Sequence, residues 1–401
     1  MLALLAAAEF LGMTAWFSAT AATPALIDEF RLDAAGASWL TMAVQAGFVA
    51  GTLASALANL PDVLNPRRLF AIGCGVAAAA NALVTQAPDG TTAIALRALT
   101  GAALACVYPP GMKIAAGWFL ERRGLALGVI VGALTAGKAF PHLLQALVGE
   151  AGWRTPMLIA SALTIVAGVI VVTVVRDGPH VAATSGFDPH AVARLFTTPG
   201  ARQATFGYLG HMWELYAMWT WVAAFATASL AAASIPNPGH GGSVVAFIAI
   251  VSGTVGCVLA GWVADRVGKA RVASGAMLIS AICCAVSPFA FGGPESLLLV
   301  LVSVWGFAVV ADSAQFSALV TEHTDRRHVG TALTVQTCLG FLLTMVTIRL
   351  VPLLAEAVGW RWAFLLLGPG PVAGILALRP MRDGRTESLR QDPVDDRFGR
   401  I

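Results

Sequence analysis

Charge is what this sequence has least of. Only 12% of the 401 residues are charged, half the roughly 25% usual in a soluble domain. A chain that is 57% hydrophobic cannot wrap its apolar side chains in so thin a polar shell. A disordered chain, a secreted disulfide scaffold and an ordinary cytosolic enzyme are thereby excluded. The formal net charge is only +3, which leaves nucleic-acid binding without an electrostatic basis. Cysteine offers no framework either. Cys74, Cys106, Cys257, Cys283, Cys284 and Cys338 all fall in apolar runs, none at metal-ligand spacing from a histidine. They read as small apolar filler. There is no Walker-type phosphate loop, no metal cluster and no nucleophile with a partnered base, so neither cofactor nor catalysis is expected. The first apolar run lacks a basic flank and is too long for a signal peptide. A membrane helix beginning at Met1 implies a short leader upstream.

What the sequence does have is long apolar runs, and its mean hydropathy is +0.76. A membrane helix needs about 20 mostly apolar residues. Twelve runs qualify, at 1–27, 39–60, 69–87, 91–118, 124–148, 155–175, 203–230, 243–262, 272–291, 297–320, 329–353 and 362–379. The expected fold is an all-α membrane protein of twelve transmembrane helices in two pseudo-symmetric six-helix bundles. The longest internal polar stretch runs from Arg176 to Arg202. It reads as a linker, 176–202, between bundles at 1–175 and 203–379, followed by a cytoplasmic tail at 380–401.

Arginine and lysine give the orientation. The loops on the side of both termini, with the tail, hold eighteen of them, among them Arg67, Arg68, Arg122, Arg123, Arg326 and Arg327. The opposite loops hold three, Arg31, Arg154 and Arg361. The positive-inside rule puts both termini in the cytoplasm, in a multi-pass protein of the inner (cytoplasmic) membrane.

The two halves also match each other. Glu9, Met13 and Trp16 recur 205 residues later as Glu214, Met218 and Trp221. Gly152-Trp153-Arg154 recurs 207 later as Gly359-Trp360-Arg361. Ala58-Asn59 and Ala264-Asp265 are 206 apart, and Arg122-Arg123 and Arg326-Arg327 are 204 apart. Four ordered matches at one offset indicate two parallel repeats. Such repeats place a solute site between them near the membrane midplane, reached from alternate sides as one half rocks against the other.

The segment from Gly261 through Asp265, Arg266, Gly268 and Lys269 to Arg271 resembles the cytoplasmic loop motif of the major facilitator superfamily. A degraded counterpart stands at Ser55, Asn59, Asp62, Arg67 and Arg68. Arg97 and Gly101 resemble that family's Arg-x-x-x-Gly element. Gly128, Gly132 and Gly137 are similar to the glycine-rich motif of its antiporters, with Ala133 where a proline is expected. The resemblance covers residues 1 to about 380. It implies the twelve-helix fold, transport of a small solute, and a gate at Gly261, Asp265, Arg266, Gly268, Lys269 and Arg271 that stabilises the outward-open state. In that gate Asp265 pairs with arginine near a helix end, Gly261 permits close helix approach, and Gly268 permits a tight turn.

Charges inside the spans carry the chemistry, because one at a helix centre costs at least ~2.5–3.5 kcal/mol. At 1.5 Å per residue, Glu9 and Glu214 lie roughly 12–17 Å deep, with Asp312 at a comparable level. These three acids are the candidate proton carriers. Arg97 and Lys138 lie higher and are candidate anion receptors. His142 shares a helical face with Lys138, and His211 shares one with Glu214. Tyr108 precedes a break expected at Pro109-Pro110. Trp16 and Trp221, with Trp213, Tyr216 and Trp219, form aromatic faces able to stack on a ligand. Arg97, Tyr108, Lys138, His142, His211, Trp16 and Trp221 are thus the candidate solute-binding residues. Buried ion pairs that only fix packing are the structural alternative for the charges.

The expected activity is secondary transport of a small polar anion, coupled to protons, by a monomer surrounded by membrane lipid. A proton-coupled exporter of lipophilic compounds is the first alternative. A receptor or scaffold on the same fold is the second.

Overall fold

The computed structural model describes residues 1–119, 123–180, 187–189 and 192–384. Arg122 and the arginines of the tail beyond Gly384 lie outside the described residues, as does part of the 176–202 stretch. The main helices are α1 (Leu2–Met13), α2 (Ala34–Leu57), α3 (Pro66–Leu83), α4 (Gly90–Leu104), α5 (Arg123–Val148) and α6 (Arg154–Thr173). They continue as α7 (Pro199–Ala232), α8 (Pro238–Val267), α9 (Lys269–Ala290), α10 (Glu295–Ala311), α11 (Val329–Val358) and α12 (Pro369–Arg382). Eleven segments among the described residues are long and apolar enough to cross a membrane, and α1 is a shorter apolar helix ahead of them.

Four spans are interrupted among the described residues, the twelfth by a 3-10 turn at Phe364–Leu367. The first, expected to be continuous over 1–27, breaks after Met13 and resumes as Ser18–Ala21 and Thr23–Phe30. The fourth breaks at 105–107 rather than at its prolines. The helix restarts as Tyr108–Trp118, with proline in its first turn, where the missing N–H has no helical acceptor to lose. The tenth breaks at Asp312, which ends α10 and precedes the helix Ser313–Glu322. Val107 and Asp312 are 205 residues apart, so these two breaks occupy equivalent places in the repeat.

The repeat is also visible in side-chain contacts. Arg154 Nε donates to the carbonyl of Thr85 at 3.1 Å, and Arg361 Nη2 donates to that of Phe291 at 3.1 Å. Donors and acceptors are both displaced by the repeat offset. The preceding glycines, Gly152 and Gly359, take φ of +100° and +85°, a region that side-chain-bearing residues avoid. Arg154 additionally pairs with Glu29 at 2.7 Å, and its guanidinium holds that carboxyl below the usual carboxylate range.

Within each half, glycine lets two helices cross at backbone contact. A Cβ on Gly101 of α4 would collide with the Val44 carbonyl of α2. A Cβ on Gly306 of α10 would collide with the Ala249 carbonyl of α8. Small residues drive membrane-helix packing because lipid offers no hydrophobic gain for larger ones. Between the halves, α5 packs on α8 and α2 on α11.

Gly306→Val should therefore force α8 and α10 apart, at a cost of ~3 kcal/mol or more. The expected result is a lower melting temperature in detergent. Gly261→Val serves as control, because a Cβ at Gly261 meets nothing within 4 Å.

Candidate functional site

Side chains from both halves close on one another at the centre of the molecule. Lys138 of α5 donates to the Tyr216 hydroxyl of α7 at 2.6 Å. Its Nζ lies 4.3 Å from the Trp16 ring centroid, 5.0 Å from that of Tyr216 and 5.9 Å from that of Trp219. Phe48 of α2 meets Phe341 of α11 at 4.9 Å, and Phe341 meets Tyr216 at 5.0 Å. One turn from Phe48, Gln45 accepts a hydrogen bond from Thr344 of α11. Phe17, from the break in the first span, touches His142, Tyr216 and Trp219 at 6.1–6.4 Å. Lys138 is 5% exposed. Among the described residues it has no carboxylate within ion-pair distance.

Lys138, His142 and Trp16 are thus brought together as candidates, while Arg97 serves a different purpose. The break after Met13 leaves carbonyls with no helical partner, and a buried carbonyl without one is costly in hydrocarbon. Arg97 Nη1 donates to the Ala15 carbonyl at 3.0 Å and to Asn81 Oδ1 at 2.7 Å, and Nη2 donates to the Trp16 carbonyl. Ser18 and Ser161 complete the cluster on Asn81 at 2.7 and 3.0 Å. Arg97 is fully buried among these neutral acceptors of its own half, turned to the bend rather than to Lys138. The expectation of two receptor cations at one level is corrected accordingly. Trp221 also stands apart, its Nε1 donating to the Ile348 carbonyl at 2.9 Å and its ring facing Trp360.

The three acids have three different surroundings. Glu214 Oε1 accepts from Ser280 and Trp305, each at 2.5 Å, and from Cys284 at 3.2 Å. Glu9 is as buried as Glu214, yet neither of its oxygens has a hydrogen-bond partner among the described residues. The repeat explains the difference. The positions 206 residues before Ser280, Cys284 and Trp305 are Cys74, Ala78 and Leu99, which bring no comparable donors. Glu9 Oε1 instead lies against Gly111, just beyond Tyr108, where only a glycine leaves room for it. Asp312, at the break in the tenth span, lies 2.8 Å from His211 Nδ1, and both side chains are buried.

The loop between α8 and α9 differs from expectation in its contacts. Asp265 is exposed in the last turn of α8, with no ion-pair partner among the described residues. Arg266 folds back over the Trp262 ring at 3.6 Å and donates to the Trp262 carbonyl. Gly261 approaches no neighbouring helix. Gly268 does make a turn, at φ +93°. The ion pair of this loop is Lys269 with Glu322 at 2.5 Å, which joins the start of α9 to the helix Ser313–Glu322. Arg271 is exposed. In the first half, Arg67 grips Asp177 through Nε and Nη2 at 3.0 and 3.1 Å.

Sequence reasoning missed Phe17, Phe48, Phe341, Gln45 and Thr344. Gln45 carried a signal, as an amide inside an apolar run; the phenylalanines carried none. The contrast between the cations is open to measurement. Arg97→Met strands the Trp16 carbonyl, leaves that of Ala15 to Ser18 alone and removes a donor from Asn81, at roughly 1–3 kcal/mol for an unpaired group. It should lower the melting temperature in detergent well beyond Lys138→Met, which strands only one hydroxyl.

The Major Facilitator Superfamily pattern matches residues 5–237 and again 236–397. A crystal structure of a variant of the nucleoside transporter NupG superposes with a TM-score of 0.73 over 95% of this chain and 99% of that one, at 18% sequence identity. That likeness establishes the fold, and the match across nearly the whole sequence establishes the family. The chain is a multi-pass membrane protein that belongs to the Major Facilitator Superfamily of transporters.

Proposed function

We propose that the protein is a secondary active transporter that moves a small polar anion by alternating access, coupled to protons. The observation that carries this reading is Lys138. It is a buried basic residue at the seam between the halves, and among the described residues its one hydrogen-bond partner is a hydroxyl of the opposite half. Glu9 interacts with Lys138 electrostatically but lies beyond ion-pair distance, which leaves room for an anionic ligand beside the lysine. Arg97 has no part in that binding, since neutral protein acceptors hold it.

Glu9 is the leading proton carrier. A group that loads and releases a proton cannot be locked by fixed donors, and Glu9 has none among the described residues. Three donors hold the Glu214 carboxyl in place, which makes it the less free of the two glutamates to exchange a proton. Asp312 with His211 is the second candidate, at a helix break able to bend. A second reading, transport of a nucleoside, is favoured by the aromatic side chains around Lys138, which suit a nucleobase, and by the solved neighbour's description as a nucleoside transporter.

Vesicles bearing an inward proton gradient, screened with radiolabelled phosphate, lactate, succinate, benzoate and uridine, test the proposal. Gradient-driven accumulation of one of the anions is expected. Glu9→Gln should abolish it while leaving solute exchange across the membrane, whereas full accumulation in Glu9→Gln removes that acid from the mechanism. Accumulation of uridine alone would favour the nucleoside reading.

The orientation is tested separately. With both termini cytoplasmic, reporter fusions at Gly90 and Glu295 should read outside, and fusions at Pro66 and Ser185 inside. A fusion at Pro66 that reads outside reverses the topology.

A further inference from the structure

Around Lys138 lie several buried polar groups that the fold leaves without partners. Trp16 Nε1, Trp219 Nε1 and Gln45 Nε2 are donors with no acceptor among the described residues, and neither ring nitrogen of His142 has a partner. These residues belong to the first span, α7, α2 and α5, so the unmet groups come from both halves. Trp16, Trp219 and His142 are tied to one place by their rings. Trp16 and Trp219 both flank the Lys138 ammonium, and Phe17 touches both Trp219 and His142. Gln45 is one turn from Phe48, whose ring lies 5.1 Å from that of Trp16. Trp213 Nε1 and Trp221 Nε1 find carbonyls, at Leu366 and Ile348, whereas Trp153 Nε1, Arg97 Nε and Gln336 Nε2 are single unmet donors at separate places; around Lys138 several come together. An unmet buried donor costs free energy unless something else accepts from it. Unmet donors beside a cation suit a ligand that is negative and rich in acceptors; Glu9, which also acts on Lys138 electrostatically, is too far to accept from them within hydrogen-bond distance.

The ring spacing adds shape to that chemistry. Trp16 and Tyr216 have centroids 5.9 Å apart, Trp16 and Phe341 5.7 Å, and Tyr216 and Phe341 5.0 Å. A flat ring slipped between two others at van der Waals contact needs about 7 Å between them. Trp16 belongs to the first half and Tyr216 and Phe341 to the second, so parting the halves by about 1–2 Å opens the slot. A puckered aliphatic body is thicker and needs more.

The geometry points to an aromatic or heteroaromatic monocarboxylate as the transported solute, its ring clamped between Trp16 and the rings of Tyr216 and Phe341 and its carboxylate on Lys138. This deepens the anion reading and rests on it. The carboxylate takes the ammonium protons that Tyr216 does not use, and the indole and amide donors reach its remaining lone pairs or a ring heteroatom.

Binding to the purified full-length protein in detergent, followed by tryptophan fluorescence and by calorimetry, separates the possibilities. The probes are nicotinate, nicotinamide, cyclohexanecarboxylate and uridine. Nicotinate should bind at least tenfold more tightly than each of the other three. Lys138→Gln should weaken nicotinate about tenfold or more, and Trp16→Leu should weaken it more than it weakens cyclohexanecarboxylate. The comparison among probes needs no variant, so it stands even where a substitution impairs folding. Equal binding of cyclohexanecarboxylate and nicotinate overturns the flat-ring inference and leaves the anion reading intact. Nicotinamide or uridine binding as well as nicotinate overturns both. No binding of any probe up to about 10 mM, by a protein shown to be folded, overturns the assigned class.

Discussion

A polar group inside a bilayer has no water to turn to, so each must be met by another group of the protein. That constraint places Arg97. The first span bends after Met13, and the bend leaves the carbonyls of Ala15 and Trp16 outside any helical ladder. Arg97 reaches across from α4 to take both, with Asn81 and Ser18 sharing the remaining donors. The bend in turn lets Trp16 and Phe17 approach α7 from the first half, where a straight helix would present a different face. The aromatic surroundings of Lys138 therefore depend on a guanidinium that does not touch Lys138. Arg97 and Lys138 thus differ in use: the first is spent on holding the backbone, and the second stands at the seam beyond ion-pair distance of any described carboxylate.

The same constraint accounts for the unequal acids. Duplication put a glutamate at equivalent points of both halves, but the surrounding positions diverged. Ser280, Cys284 and Trp305 converge on Glu214, so its carboxyl is met where it stands. Of the matching positions, Cys74 lies near Glu9 without donating to it, Ala78 has no donor and Leu99 is exposed. Two copies of one residue thus stand in different surroundings, one held by three donors and the other by none among the described residues, with no change to either glutamate.

Much of the architecture could be read from the sequence because it rests on averages and offsets. Hydropathy over 20 residues finds spans, and the Gly-Trp-Arg repeat finds a contact that occurs in both halves, at Thr85 and at Phe291. The bend in the first span could not be found that way. Residues 14–17 are Thr, Ala, Trp and Phe, apolar enough to pass unnoticed in any window, and they carry neither proline nor glycine. With the bend invisible, the carbonyls it frees were invisible too, and Arg97 looked available to a solute. The loop after α8 makes other contacts than adjacency suggests, for a related reason. Adjacency in sequence suggested Asp265 with Arg266, but adjacent helical residues point to different faces. The partner of Lys269 is Glu322, 53 residues away, which no local pattern contains. The residues legible as charges inside the membrane were the right ones to question. What each one does depended on partners that only the folded chain brings near.

The contacts that close the centre are also those an entering solute would displace, and this sets limits on how tightly the halves can hold. Lys138 on Tyr216 is a hydrogen bond from a charged group, of order 1.5–3 kcal/mol, and its approach to the indole of Trp16 adds about 0.5–2 kcal/mol. Gln45 with Thr344 and Phe48 with Phe341 bridge α2 to α11 on a similar scale. A seam built on extensive aliphatic interlocking would keep the centre shut against any solute of modest affinity. Along the seam α5 and α8 pack closely, but at the centre the contacts are polar and aromatic, and on the proposed reading these are the ones exchanged for a solute that offers a carboxylate and a ring. The free energy recovered from the ligand then compensates the separation of the halves, and opening becomes conditional on the ligand's chemistry. Discrimination follows from the same exchange, because a solute lacking either the charge or the ring leaves part of the broken seam without a replacement.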